Sequence, residues 1–390
     1  MFRFLTSGES HGKCLIVILE GLPAGLPVDE QAVNLQLQRR QGGYGRGDRM
    51  RIEKDAVEIT SGVRDGLTMG SPISFLIQNK DWKQWEIPMS STAIPGNASK
   101  HSVTRPRPGH ADMAGVLKFQ LHDIRNVLER ASARETAARV AVGAFCRQLL
   151  GQFAIQIGSH VLEIGGERVS KKFESASGED LFRINPNSQL RCLDHAAEKR
   201  MQARIDRATR EGDTVGGVIE VVGTSIPVGL GSCSQWDRKL DGLIAQAMMS
   251  IHAVKAVEIG SGIESARKSG SAAHDEIFYD GGKRRFFRKT NRAGGLEGGI
   301  TNGSDLRVRI FLKPIPTLRN PLASIDIVSK AGAEAAYERS DTCIVPAAAV
   351  ISEAMLAIAL TGPFLEKFGG DSLRETKQNF ASYQKLLDEY

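Results

Sequence analysis

The chain opens with short apolar runs punctuated by glycine and polar turns. Residues 2–5 and 14–19 predict two strands, the second a continuous apolar run of the buried type, with the polar turn Ser7-Gly8-Glu9-Ser10-His11-Gly12 anchored between them. After a turn at residues 21–25, Asp29 is placed to cap a helix that runs to about residue 40. Residues 52–59 and 73–77 predict further strands. Ser132 and Glu135 stand in the S-x-x-E spacing of a capping box, and Ala137, Ala138, Val140, Ala141, Ala144, Phe145 and Leu149 follow at helical spacing. That pattern predicts a helix from near Ser132 to Gly151. Strand patterns recur near 153–157, over 214–222 and over 307–313. Helical patterns cover 195–210, 240–251 and 347–360, and a polar helix closes the chain. Residues 165–193 carry no clear period, and Val257-Glu258-Ile259 with Gly262 echoes Val57-Glu58-Ile59 with Gly62 as a duplicated strand–turn unit would.

The segments between these elements hold the candidate chemistry. Residues 42–49 place four glycines in six positions beside Arg40 and Arg46, a loop that lets a ligand approach the backbone. Neither the dinucleotide-binding nor the P-loop fingerprint is present in it. Residues 79–102, with Trp82 and Trp85, read as a long loop or lid that the tryptophans pin down. The stretch from 104 to 139 is the centre of the chain. Prolines hold Arg105, Arg107 and His110 off helix on a stiff loop, and Arg130 and Arg134 flank the expected helix start, where free N–H groups suit an anion. Residues 264–290 are charged and expected to be mobile, and their cluster of Lys283, Arg284, Arg285, Arg288 and Lys289 reads as a solvated flap or as a lid over an anion. A second glycine-rich loop occupies 291–299.

Composition narrows this little but usefully. A length of 390 residues with 41% hydrophobic and 25% charged content suits a globular protein of two or three domains or one large mixed unit. The 51 basic and 45 acidic residues give +6, a mild excess that fits small anionic ligands better than nucleic acid. Five scattered cysteines without C-x-x-C spacing indicate neither a disulfide framework nor a metal site. No signal-type region and no apolar run of membrane length is evident, so a cytoplasmic protein without membrane partners is expected.

Eight segments, in order along nearly the whole chain, resemble chorismate synthase: SGESHG (7–12), RRQGGYGRGDRM (39–50), SVTRPRPGHAD (102–112), ERASARETAARVA (129–141), MSIHAVKAVEIGSG (249–262), NRAGGLEGGITNG (291–303), KPIPT (313–317) and ERSDTC (338–343). The resemblance implies one α+β unit over residues 1–390, with helices packed between antiparallel sheets, usually assembled as a homotetramer. It implies conversion of 5-enolpyruvylshikimate 3-phosphate to chorismate and phosphate with reduced FMN and no net redox change. Arg40, Arg46, Arg107 and Arg134 would hold the substrate, with Arg40 and Arg46 also matching NADPH positions, NADPH being the indirect reductant. His11 would donate a proton to the leaving phosphate, His110 would sit by the flavin, and Asp341 with Ser10 would relay a proton. Flavin contacts carried over are Arg130, Ala131, Ser132, His252, Ala253, Gly298, Lys313, Pro314, Ile315, Pro316, Thr317 and Arg339. Two departures are expected to alter flavin affinity: His252 replaces a usual amide and Ala256 a usual glycine. No extra flavin-reducing domain is evident, so an external flavin reductase is expected. The residues alone leave two other readings open, a flavin- and NADPH-dependent oxidoreductase and a polyanion-binding module.

Overall fold

The computed structural model describes residues 1–47, 54–95, 101–174, 177–182, 184–185, 188–282, 284–338 and 340–390. Two antiparallel sheets carry the architecture. The first orders its strands Arg3–Ser7, Cys14–Glu20, Ile73–Gln78, Val57–Ser61, and the second Val254–Ile259, Leu306–Leu312, Gly217–Thr224, Gln156–Ile164, Glu167–Arg168. Helices Glu30–Gln41 and Thr136–Gly151 pack toward the first sheet, Leu240–Met249 and Val345–Phe368 toward the second, and the helices pack on one another between them. One hydrophobic core runs through both sheets and these helices.

The apolar run at 14–19 is half-exposed rather than buried on both faces. Leu15, Val17 and Leu19 face the core and pair with Ile77, Phe75 and Ile73, whereas Ile16 and Ile18 are exposed on the outer face. A strand's period of two decides this whatever the side chains prefer. The two echoing segments, Val57–Ser61 and Val254–Ile259, are each the end strand of a sheet, and each carries a register shift. The sequence-predicted strand at 52–59 is seen from Val57, and residues 48–53 lie outside the described residues.

The helix Val345–Phe368 is longer than its sequence pattern suggests and is apolar enough to cross a membrane by length and composition, which corrects the expectation that no such run exists. Its most apolar stretch is 83% buried inside the protein, as in a core helix. Its tightest neighbour is Thr136–Gly151, where a Cβ on Gly143 would stand 2.4 Å from the Ala354 Cβ. The same helix buries one carboxylate, Glu353, which accepts from Arg39 (2.8 and 3.0 Å), Arg147 (2.9 Å), Arg191 (2.8 Å) and Ser159 (2.7 Å). Burial pushes this carboxyl upward, but Arg191, Arg39 and Arg147 outweigh it and hold it down at about 2.

Three features depart from the sequence pattern. The expected capping box at Ser132 does not close: Ser132 caps a 3-10 turn, Ala133–Glu135, by accepting from the Arg134 N–H at 3.3 Å, and the α-helix begins at Thr136. Glu135 is drawn away instead to Thr6 and Arg139. A closed capping box stands at Ser372 and Glu375, opening the final helix Leu373–Glu389. Helices Asp112–Phe119 and Arg125–Ala131 fill a stretch to which the sequence pattern assigns no element, between the proline-stiffened loop and Ser132, and the strand expected near 153–157 runs Gln156–Ile164. Residues 264–290 carry regular structure, chiefly the hairpin Ile277–Asp280 with Arg285–Arg288, in which Arg288 pairs with Glu297 and Lys289 covers the Phe278 ring. Lys283 lies outside the described residues.

Candidate active site

The turn between the first two strands lands on the helix Arg125–Ala131. Its Ser10 N–H donates to the Glu129 carbonyl at 2.9 Å, and the His11 N–H donates to the Glu129 carboxylate at 2.8 Å. The same carboxylate takes His11 Nδ1 at 2.9 Å, and the Trp85 ring stacks on the imidazole with centroids 4.0 Å apart. Trp85 sits on a short helix, Trp82–Trp85, within the segment expected as a lid, whose residues 96–100 are outside the described set. Ser132 donates to the Ser10 hydroxyl at 3.1 Å, and Arg130 clasps the first strand through the carbonyls of Thr6 and Gly8.

Asn79 joins this turn to the arginines. Its amide nitrogen donates to the carbonyls of Glu9 and Gly12, and its oxygen accepts from Arg134 Nε at 2.8 Å. Arg134 continues to Asp55 at 2.6 Å, and Arg40 reaches the other oxygen of Asp55 at 3.4 Å as well as Thr136 and the Ala133 carbonyl at 3.0 Å each. Arg46 pairs with Asp341 at 2.7 Å, and the Gly47 N–H caps the same carboxylate. Burial pulls the Arg40 guanidinium down to about 10, with Asp55 opposing and Arg134 and Arg46 adding to the fall. It is charged at neutral pH all the same. Closely spaced arginines of this kind are stable only because interleaved carboxylates share them.

The proline-stiffened loop presents His110 to a buried acid. His110 Nδ1 lies 2.5 Å from Asp112, which also accepts from Arg107 Nε at 2.8 Å and Nη2 at 3.0 Å. Burial drives the Asp112 carboxyl upward, yet His110 and Arg107 hold it far below the carboxylate range. Arg107 donates on to Thr317, and Lys313 donates to the Gly109 carbonyl, so the strap 313–317 closes over this loop. Within the strap the Ile315 carbonyl accepts from Thr214, and Pro316 packs near Gly109. Lys313 N–H also donates to the carbonyl of Ala253, which is held at φ +68°. Beside it His252 has a buried Nδ1 without a hydrogen-bond partner. Burial lowers its imidazole to about 4, with Glu135 opposing and Arg139, His110 and Arg40 repelling the charged form. Ala256 is exposed at the register shift of its strand. Gly298 turns a hairpin next to Cys233 at φ +60°, and half-buried Ala131 ends its helix. Arg339 lies outside the described residues.

The structure thus ties the turn that carries Ser10 and His11 to Arg134 through Asn79, with Ser132 on Ser10, and ties His110 to Arg107 through Asp112, with Thr317 on Arg107 and Lys313 on the Gly109 carbonyl. Reading the sequence alone passed over four residues that do the gathering: Glu129, Asp112, Asn79 and Asp55. The first two lay inside the segments that carry the family likeness, and a buried arginine or histidine always raises the question of its counter-charge.

Fold and site together set two carboxylate-held histidines, four arginines and three aspartates on a helical core between antiparallel sheets, an arrangement of the mixed α+β enzyme class. A family model described as chorismate synthase matches residues 2–365. Chorismate synthase of Solibacter usitatus is 52% identical over all of both chains, and that of Aquifex aeolicus is 53% identical over 98% of this chain and 97% of its own. A solved structure titled as the crystal structure of chorismate synthase superposes with a TM-score of 0.80 at 43% identity, covering 100% of this chain and 99% of that one. The chain belongs to the chorismate synthase family, whose members are enzymes of the shikimate pathway.

Proposed function

We propose that the gathered residues carry out the family's reaction, the anti-1,4-elimination of phosphate from 5-enolpyruvylshikimate 3-phosphate to give chorismate. The observation that carries this is the pairing of each histidine with a buried carboxylate next to an arginine cluster whose charges are already fixed in place. Arg40, Arg46, Arg107 and Arg134 are held by Asp55, Asp112 and Asp341, and guanidinium groups fixed in this way are suited to meet the phosphate and two carboxylates of the substrate. Because those side chains are held by neighbours, they stabilise charge on the departing phosphate with little reorganisation. His11 delivers the proton to the phosphate, His110 manages a proton beside the cofactor, and Asp341 with Ser10 would relay a proton away from the flavin.

The residues fit a flavin. The unpartnered Nδ1 of His252 is a buried polar atom that needs a ligand atom to bond, and it lies beside Ala253 and within electrostatic reach of His110. Arg130, Ala131, Ser132, His252, Ala253, Gly298, the strap 313–317 and Arg339 would hold reduced FMN, which supplies an electron transiently and takes it back. An external reductase, with NADPH as the ultimate reductant, would provide it. A homotetramer in the cytoplasm completes the proposal, and a solution mass of roughly four times the 42.3 kDa chain checks the assembly.

The decisive experiment is an anaerobic assay with 5-enolpyruvylshikimate 3-phosphate and chemically reduced FMN that follows chorismate and phosphate together. Equal amounts of both, with no net flavin oxidation, are expected. No product with chemically reduced FMN, but product in proportion to NADPH consumed when NADPH is supplied in its place, would replace this reading with the oxidoreductase.

A further inference from the structure

We infer that Glu129 is the positioning residue of His11, fixing which ring nitrogen carries the proton to the leaving group; the inference rests on His11 being the proton donor proposed above. The geometry is specific. Three groups of the Ser10–His11 turn converge on Glu129, a residue 118 positions away in the chain: the Ser10 N–H on its carbonyl, and the His11 N–H and Nδ1 on its carboxylate. The carboxylate is only 1% exposed. Nδ1 is 2.9 Å from one of its oxygens and 3.1 Å from the other.

Glu129 holds the imidazole in its plane, and a second contact holds it from above. Trp85 stacks on the ring at 4.0 Å with 25° between planes. Arg125 links the two supports, since its Nη1 donates to Glu129 at 3.1 Å and its guanidinium lies 5.0 Å from the Trp85 ring centre. A ring fixed from two directions has lost the rotation that would let its nitrogens exchange roles. His110 is built differently, because its Nδ1 faces both Asp112 and Arg107.

The chemistry follows from the hydrogen bond. A carboxylate at Nδ1 keeps a proton on that nitrogen, so the proton given away is the one on Nε2. In the step, the Nε2–H bond breaks, an O–H bond forms on the departing phosphate, and the imidazolium becomes the neutral Nδ1–H imidazole. Glu129 stays a carboxylate throughout: burial raises its carboxyl, but the hydrogen bonds and charge of His11, with Arg125, outweigh burial and hold it below its usual range. No other group need take up charge on its behalf.

A purely structural Glu129 would tie the turn to the helix and do no more. A double-substitution cycle separates the two roles. Wild type, Glu129→Gln, His11→Ala and the double variant would be assayed anaerobically for kcat and KM, with thermal melts and imidazole ¹⁵N spectra of His11. We expect Glu129→Gln to lower kcat roughly 10²-fold with KM within about threefold, to shift the His11 tautomer signals, and to cost less than about threefold more once His11 is alanine. An equal loss in both backgrounds, or unchanged ¹⁵N signals with unchanged kcat, overturns the inference. Full turnover by His11→Ala would instead overturn the proposed role of His11 itself. Should Glu129→Gln melt too early to assay, Glu129→Asp is carried through the same cycle, and its additivity with His11→Ala decides.

Discussion

His252 shows what a single buried atom implies. An imidazole nitrogen with no partner costs about 1–3 kcal/mol in the folded protein, and Nδ1 of His252 is such an atom. His252→Phe removes it while keeping a ring. The apoprotein is therefore expected to melt at the same temperature or higher, while FMN affinity falls roughly tenfold, the equivalent of one lost hydrogen bond; a flavin titration beside a thermal melt reads both. Unchanged affinity would separate His252 from the flavin. The imidazole is held at about 4, so whatever it adds to stability is full above its ordinary 6.5 and is lost as pH falls toward 4. For His110, whose ring is locked to Asp112, His110→Ala is expected to keep the fold and reduce turnover by roughly 10²-fold or more, as loss of a positioned proton-transfer group does. Near-normal kcat in that variant would remove it from the mechanism.

At the scale of elements, the contact between helices Thr136–Gly151 and Val345–Phe368 sets how closely the two halves of the core approach. Gly143 makes that contact possible, because a Cβ there would meet the Ala354 Cβ at 2.4 Å and its Cα at 2.6 Å. Backbone atoms cannot swing aside as a long side chain can. Gly143→Ala is thus expected to destabilise by about 1–3 kcal/mol despite alanine's better helix propensity, read as a lower urea midpoint. An unchanged midpoint would mean the helices part without cost. The Ser132 motif teaches the complementary lesson. S-x-x-E spacing occurs at both Ser132 and Ser372, but Glu375 bonds only to the backbone and side chain of its own turn, and of these two it is there that the box closes. Thr6 and Arg139 claim Glu135 first.

Across the whole molecule, Glu353 is the electrostatic centre of the core. One carboxylate holds Arg39, Arg147 and Arg191 from two helices and a loop, so replacing it strands three partly buried cations. Glu353→Gln is expected to cost about 3–5 kcal/mol at neutral pH. Its folded carboxyl sits at about 2, below the ordinary range, so its contribution is full above about pH 4.3 and disappears as pH falls toward 2. Urea midpoints of wild type and variant should therefore differ most at pH 7 and converge between about pH 4 and 2. A gap independent of pH would assign the loss to packing instead.

The sequence by itself determined the periodic elements, the loops that bear His11 and His110, the arginines, and through eight ordered segments the family. These are local signals, since a helix stripe, a proline-stiffened loop or a glycine turn is written within a few residues. It did not disclose Glu129 beneath His11, Asp55 between Arg40 and Arg134, Asn79 between the histidine turn and Arg134, or Glu353 among its arginines. Those partners are separated by 15 to 314 positions, and a carboxylate in sequence carries no mark of which cation it will meet. Only the tertiary structure decides it, because burial removes water as the alternative partner and makes each charge choose among the few side chains that the two sheets and their helices bring within reach.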